Sequence, residues 1–253
     1  MKKIIVVLLV LVGFNANAQK LIGGDHILKT NLSSDALKNY NLTFEKNVLP
    51  FVSLSASYRT MPKSALPLKG LAKKFIKSDA IDFNNFQVGN TALTFEGRFY
   101  LGIQKMSGFY IAPYTRFANF DLSVPVNYSY NSISTTTLQP IVENKTATLE
   151  GTIRSQSMGV YVGMQFQLAT KLVLDFWMIG GHYGSSNGKL EFTPLPGAKF
   201  PVEAQAALQK NLNDIRANPF KIKATVTSSG AIADMEGPWA GIRGGGLTLG
   251  LRF

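Results

Sequence analysis

Apolar and polar positions along this chain alternate with a period of two over long stretches. Met158, Val160, Val162, Met164, Phe166 and Leu168 share one face of a segment whose other face carries Gly159, Tyr161, Gly163, Gln165 and Gln167. Successive side chains of a strand point to opposite sides, so this pattern predicts a two-faced strand. The chain closes the same way, with Leu247, Leu249, Leu251 and Phe253 set against Thr248, Gly250 and Arg252. Segments of this kind predict eight strands, at roughly 25–33, 39–46, 51–60, 91–101, 108–121, 153–168, 171–183 and 240–253.

The predicted connections sort by length. Short links fall at Asn47–Pro50, Gly102–Ser107 and Ala169–Thr170, a modest one at Ser34–Lys38, and long ones at 61–90, 122–152 and 184–239. Short turns on one side, longer loops on the other and an even strand count describe a transmembrane barrel. A Greek-key sandwich has no reason to sort its loops. The expected fold is all-β, a closed antiparallel eight-stranded transmembrane β-barrel with elaborated extracellular loops. The alternative is a soluble secreted β-sandwich that buries the apolar faces between two sheets.

With the apolar set toward lipid, the opposite face carries Lys29, Glu45, Arg59, Glu96, Arg98, Arg116, Asp175 and Arg252. Ser53, Ser55, Ser57, Tyr100, Tyr110 and Tyr114 lie between them. Eight strands enclose an interior just wide enough for side chains to fill. Unpaired buried charges would be too costly there. These residues are therefore expected to form a paired, hydrogen-bonded plug, and open-pore transport is disfavoured. Tyr40, Phe51, Tyr58, Phe99, Phe109, Phe117 and Phe253 sit near strand ends, as interfacial girdles would, although strands are aromatic-rich in general.

Composition narrows the class. Of 253 residues, 16% are charged and 11% aromatic, with 23 glycines and a net charge of +11. That is little charge and much aromatic content for a soluble secreted chain. Lys2 and Lys3, the apolar run Ile4 to Val12 and Asn15-Ala16-Asn17-Ala18 before Gln19 read as a signal peptide with its cleavage site. The expected division is a signal peptide over 1–18 and one barrel domain over 19–253, placed in the cell outer membrane. The chain has no cysteine, which excludes disulfides, thiolate metal sites and lipoprotein acylation. With only His26 and His182, no metal site or cofactor is expected. The basic excess suits anionic lipid head groups or acidic polysaccharide. No groove-binding helix or aromatic–basic platform points to nucleic acid.

Three segments carry a resemblance: His26-Ile27-Leu28-Lys29-Thr30-Asn31-Leu32, Asn41-Leu42-Thr43-Phe44-Glu45 and Phe95-Glu96-Gly97-Arg98-Phe99-Tyr100. They resemble small uncharacterised outer-membrane barrels of Bacteroidota-type bacteria, classed as a domain of unknown function. In architecture the chain is more distantly similar to the OmpA and OmpX barrels. The resemblance implies a fold and a location, with no catalytic residues to carry over. The final Phe253 likewise resembles the terminal aromatic that the barrel assembly machinery reads in outer-membrane barrels.

The loops hold the remaining signals. In Leu66–Lys77, Pro67 suits a helix start. Leu68, Leu71, Phe75 and Ile76 fall on one helical face, with Lys69, Lys73, Lys74 and Lys77 around it. A short basic amphipathic helix of this kind can lie at a membrane interface, its lysines on lipopolysaccharide phosphates. A second helix is expected over Pro201–Ala217, with Asn218-Pro219 stopping it, and Lys221 to Val226 alternates again. Elaborated loops suggest a contact surface for a ligand, glycan or protein partner.

One enzymatic alternative stands beside this non-enzymatic structural or surface-binding reading. Gly181-His182-Tyr183-Gly184-Ser185-Ser186-Asn187 is similar to the His-Tyr-Ser-Asn stretch of outer-membrane lipid A deacylases. His182 with Ser185 or Ser186 would be the esterase pair. Ser185, however, falls on the opposite strand face from His182, and no acid is identifiable to orient the imidazole. Gly244-Gly245-Gly246 lacks the Lys and following helix of a phosphate loop.

Overall fold

The computed structural model describes residues 24–66, 69–102, 104–134, 136, 138–198 and 200–253. The expected signal peptide, with Gln19, lies outside the described residues, as do Pro67 and Leu68.

The fold is all-β. Strands β1 (His26–Asn31), β2 (Tyr40–Leu49), β3 (Val52–Ala65), β4 (Gln87–Tyr100), β5 (Gly108–Ile133), β6 (Pro140–Gln167) and β7 (Leu172–Phe192) pair in chain order. The last strand, β11 (Gly246–Arg252), pairs antiparallel with both β7 and β1, so eight strands form a ring. Each of the eight predicted segments contributes a strand to the ring, although several bounds differ. Among the described residues three short helices interrupt the strands: α1 (Leu32–Asp35), α2 (Lys69–Phe75) and α3 (Val202–Asn213). None of these is long and apolar enough to cross a membrane.

The connections differ from expectation. The stretch 122–152 is no long loop. β5 and β6 pair without a break from Gly108↔Gln165 to Ile133↔Pro140. Val124, Val126 and Tyr128 are buried on the face that already carries Tyr110 and Tyr114. Pro125, a strand breaker by type, is tolerated because β4 ends at Gln87, leaving that edge of β5 unpaired by a strand. Its carbonyl instead accepts from the Asp82 amide at 2.9 Å.

The expected loop 184–239 is also largely sheet. β7 runs on to Phe192 and pairs with β9 (Gly230–Pro238), which pairs with β8 (Lys221–Thr227). Gly244 and Gly245 split the predicted last strand into β10 (Gly241–Arg243) and β11. β9, β10 and β11 therefore succeed one another along a single edge of β7.

The extended strands build a second core beyond the ring. Ala204, Leu208 and Leu212, at helical spacing on α3, pack with buried Val126, Leu149 and Leu190 of the sheet. Phe83 and Phe86, on the segment that follows α2, join them. The expected apolar face of α2 is narrower than predicted. The helix ends at Phe75, which is 68% exposed, and Ile76 turns inward only after helical geometry stops.

Candidate functional site

Polarity in the ring is inverted relative to a water-soluble core. Glu45 (0% exposed), Asp175 (1%), Lys29 (2%) and Arg98 (4%) are buried inside. Outward Leu54, Phe95, Val160, Phe176 and Leu251 are all exposed. The burial pattern follows the strand alternation read from the sequence.

The interior charges form one network. The Lys29 ammonium contacts Glu45 and Gln165 and lies 2.9 Å from Asp175 Oδ2. Arg98 reaches Asp175 at 2.6 Å, Glu45 at 3.3 Å and Glu96 at 2.9 Å. Three tyrosines complete it. Tyr100 donates to Glu45 and Tyr110 to Asp175, each at 2.6 Å. Tyr161 accepts from Arg98 at 2.9 Å and donates to Glu96 at 2.7 Å. Ser53 donates to Glu45, and Gln165 donates to the Met106 carbonyl at 2.7 Å. Every carboxylate thus has at least two donors, which makes a dense buried charge cluster tolerable. Inward glycines give the phenols room, since a Cβ on Gly159 would lie 2.8 Å from the Tyr114 hydroxyl.

Five of the predicted interior residues, Lys29, Glu45, Glu96, Arg98 and Asp175, therefore meet. The other three do not. Arg252 bonds the Gly24 carbonyl at 2.9 Å and Gln167 at 2.8 Å, away from the network. Arg59 and Arg116 are half-buried, and among the described residues neither has an ion pair or hydrogen bond. The expectation of a fully paired plug fails at these two arginines. Tyr161, Gln165 and Arg243 were missed as network members. Tyr161 and Gln165 were legible as the inward face of β6, but Arg243 sits on a strand broken by glycines. The Arg243 guanidinium lies 3.9 Å from Glu96 and stacks over Tyr114, Tyr161 and Trp177 at 5.1, 5.0 and 4.7 Å.

The predicted basic loop residues separate as well. Lys69 donates to the Asn84 carbonyl at 3.2 Å, and Lys73 sits 5.7 Å over the Phe83 ring. Lys73 and Lys77 line a cleft of about 810 Å³ together with Lys210 and Arg216 from α3 and the segment after it. Asp79 and Asp214 also line it. A short bridge pairs Lys77 with Arg216, closing the cleft wall. In the loop beside it, hydrogen bonds from Asn84 and Asn85 hold the Asp82 carboxyl below its ordinary pKa.

The esterase pair is not assembled. A bulge at Met178 shifts the alternation of β7, so His182 joins Asp175 on the inward face while Ser185 faces outward. Ser186 shares the inward face, but four residues of strand place it ~13 Å along the chain. Its hydroxyl donates to the Gly237 carbonyl at 3.2 Å. Phe253 is bonded into the ring seam, its amide donating to the His26 carbonyl at 2.9 Å and its ring stacked on His26 at 5.8 Å. Among the described residues no group of histidines and carboxylates could hold a metal ion.

Residues 4–200 match the model of a family described as a protein of unknown function, DUF3575. The chain belongs to this family. The DUF3575 match takes in β1 to β7 and all five assembled charge residues, whereas α3, β8 to β11 and Arg243 lie beyond it. No curated protein matches the chain.

Proposed function

We propose that this DUF3575 member is an outer-membrane β-barrel of non-enzymatic role. In this reading the eight-strand ring crosses the bilayer, and the upper sheet with α3 forms an extracellular contact surface. The observation that carries it is the inverted polarity of the ring, with buried charges inside and large apolar side chains exposed around its outside. Monomeric soluble proteins rarely expose contiguous apolar patches beyond a few hundred Å², and water would disfavour such a band by about 25 cal/mol per Å². Lipid removes that penalty. A ring also satisfies every strand edge, the condition for sheet to enter a bilayer.

The network that fills the interior argues against an open pore. Export to the outer membrane and insertion by the barrel assembly machinery follow from the same reading. The resemblance to Bacteroidota-type outer-membrane barrels agrees with it. Lys69, Lys73, Lys74 and Lys77, with Lys210 and Arg216 across the cleft, suit the phosphates of lipopolysaccharide at the outer leaflet. A protein or glycan partner would meet the same face.

Boiled and unboiled samples of the detergent-folded protein, run on SDS gels beside membrane fractionation, test the assignment. A heat-modifiable shift and outer-membrane recovery are expected. An unshifted protein recovered from the soluble periplasm would overturn it. Replacing the four loop lysines with Gln should weaken lipopolysaccharide binding, and unchanged affinity removes that part of the proposal.

A further inference from the structure

We propose that the ring interior contains a binding site for a phosphate-type oxyanion, formed by Arg59, Arg116 and Arg243. The charge count inside the ring leads there. Lys29, Arg98 and Arg243 are matched by Glu45, Glu96 and Asp175 through direct ion pairs. Arg59 and Arg116 add two positive charges with no ion pair among the described residues. Register brings the three arginines to one level: Arg59 lies opposite Ala92, Ala92 opposite Ala118 two residues from Arg116, and Arg243 stacks over Tyr114 on the other side of Arg116. Glu96 attracts Arg59 and Arg116, and Asp35 attracts Arg59. Glu96 is already engaged by Arg98 and Tyr161, and Asp35 by Thr30 and the Asn41 amide. Half-buried like charges of this kind call for a counter-ion, which the described residues do not supply through an ion pair.

The setting of the arginines is aromatic. Tyr114, Tyr161 and Trp177 form its floor beneath Arg243. Above it, Trp239 packs against Phe120 at 4.8 Å and Phe220 at 6.2 Å. At the level of Arg116 the ring turns small buried residues inward, among them Ser57, Ala92, Thr94, Ala118 and Ser157. Arg243 Nη1 is buried without a hydrogen-bond partner. Guanidinium forks match phosphate oxygens two at a time, which a lone ammonium cannot do.

Among the described residues β10 pairs with β7 alone, β1 stops at Asn31 and β2 begins at Tyr40 opposite Thr60, beside Arg59, so at this level α1 rather than a strand stands between β11 and β2. Free phosphate and the phosphate monoester of a lipid head group are the two ligand sources to be distinguished.

Of the two tryptophans of the chain, Trp177 lies 4.7 Å from the Arg243 guanidinium, so intrinsic fluorescence reads the site. The full chain, folded in detergent, is titrated with sodium phosphate at constant ionic strength set by chloride. A parallel series uses micelles doped with phosphatidic acid or, as control, phosphatidylcholine. A saturable change is expected, at least tenfold weaker in the double variant Arg59→Gln/Arg116→Gln. If that variant does not fold, Arg59→Lys/Arg116→Lys keeps the charge and removes the forks, and should also bind more weakly. Saturation by free phosphate identifies a soluble anion, and saturation by phosphatidic acid alone identifies a head group; both uphold the site. No saturable response to either probe, or an equal response in a folded variant, overturns it. The membrane assignment fails separately, through an absent gel shift.

Discussion

Arg98 on β4 and Asp175 on β7 meet at 2.6 Å although β5 and β6 separate their strands in the sheet. The contact crosses the ring interior. Asp175 also accepts from Lys29 of β1 and Tyr110 of β5, so one carboxylate ties four strands together. A sheet that did not close would leave these groups far apart, and the network is therefore a property of the ring.

Removing one partner should be severe. Asp175→Ala leaves Lys29 and Arg98 with Glu45 as their one shared carboxylate in a buried interior, and breaking a buried pair costs about 3–5 kcal/mol. Asp175→Asn keeps the shape and two acceptor lone pairs and should lose less. The temperature at which the detergent-folded protein loses its compact gel mobility checks both. An Asp175→Ala variant as stable as the wild type would show that the network contributes nothing.

Gly159→Ala should destabilise by about 1–3 kcal/mol through overpacking. The new methyl would stand 2.8 Å from the Tyr114 hydroxyl and closer still to the Gly181 carbonyl, which is backbone and cannot rotate away. Gly70→Ala serves as the control, because nothing lies within 4 Å of its Cβ position. Unfolding midpoints of the two variants should separate clearly.

Val160→Arg discriminates between lipid and water outside the ring. Val160 is 49% exposed on the outer face of β6. An Arg near the bilayer midplane of a barrel costs ~2–4 kcal/mol, whereas an exposed surface substitution in water usually changes stability by about 0.5 kcal/mol or less. Folding yield into liposomes and its denaturant midpoint give the answer. A neutral result would return the outer face to water.

Leu208 is fully buried between α3 and the upper sheet. Leu208→Ala should cost about 2–5 kcal/mol of local stability, while the ring keeps its own hydrogen bonds. Proteolysis within 193–220 should accelerate with the heat-modifiable shift intact. Loss of both together would mean that ring and upper core unfold as one unit.

The hairpin tip of β5 and β6 should loosen in acid. The Glu143 carboxyl is held below its ordinary value of 4.5, first by Lys145 and then by Ser132 and Tyr130. A lowered carboxylate contributes stability that is present above 4.5 and lost as pH falls through the lower folded value. Amide exchange over 128–145, corrected for its intrinsic pH dependence, should be slower at neutral pH than below that window. Glu143→Gln should remove the difference.

Legibility followed physical range. The inward placement of Lys29, Glu45, Glu96, Arg98 and Asp175 was readable because alternation is a local property and each strand fixes its own two faces. The extent of β5 was not, because Pro125 breaks strands locally and is acceptable only where β4 has already ended. Likewise Phe75 and Ile76 occupy neighbouring helical positions by spacing, but the end of α2 at Phe75 sends them to different environments.

The sequence by itself determined the order of the eight ring strands, which face of each turns inward up to the bulge in β7, and the family to which residues 4–200 belong. Tertiary structure alone decided which charges meet. Arg98 finds Asp175 across 77 residues of chain, while Arg59 and Arg116, on equally well-read strands, form no ion pair among the described residues. Periodicity places a side chain on a face, but level within a closed ring depends on the register of every strand between, and no single segment encodes that.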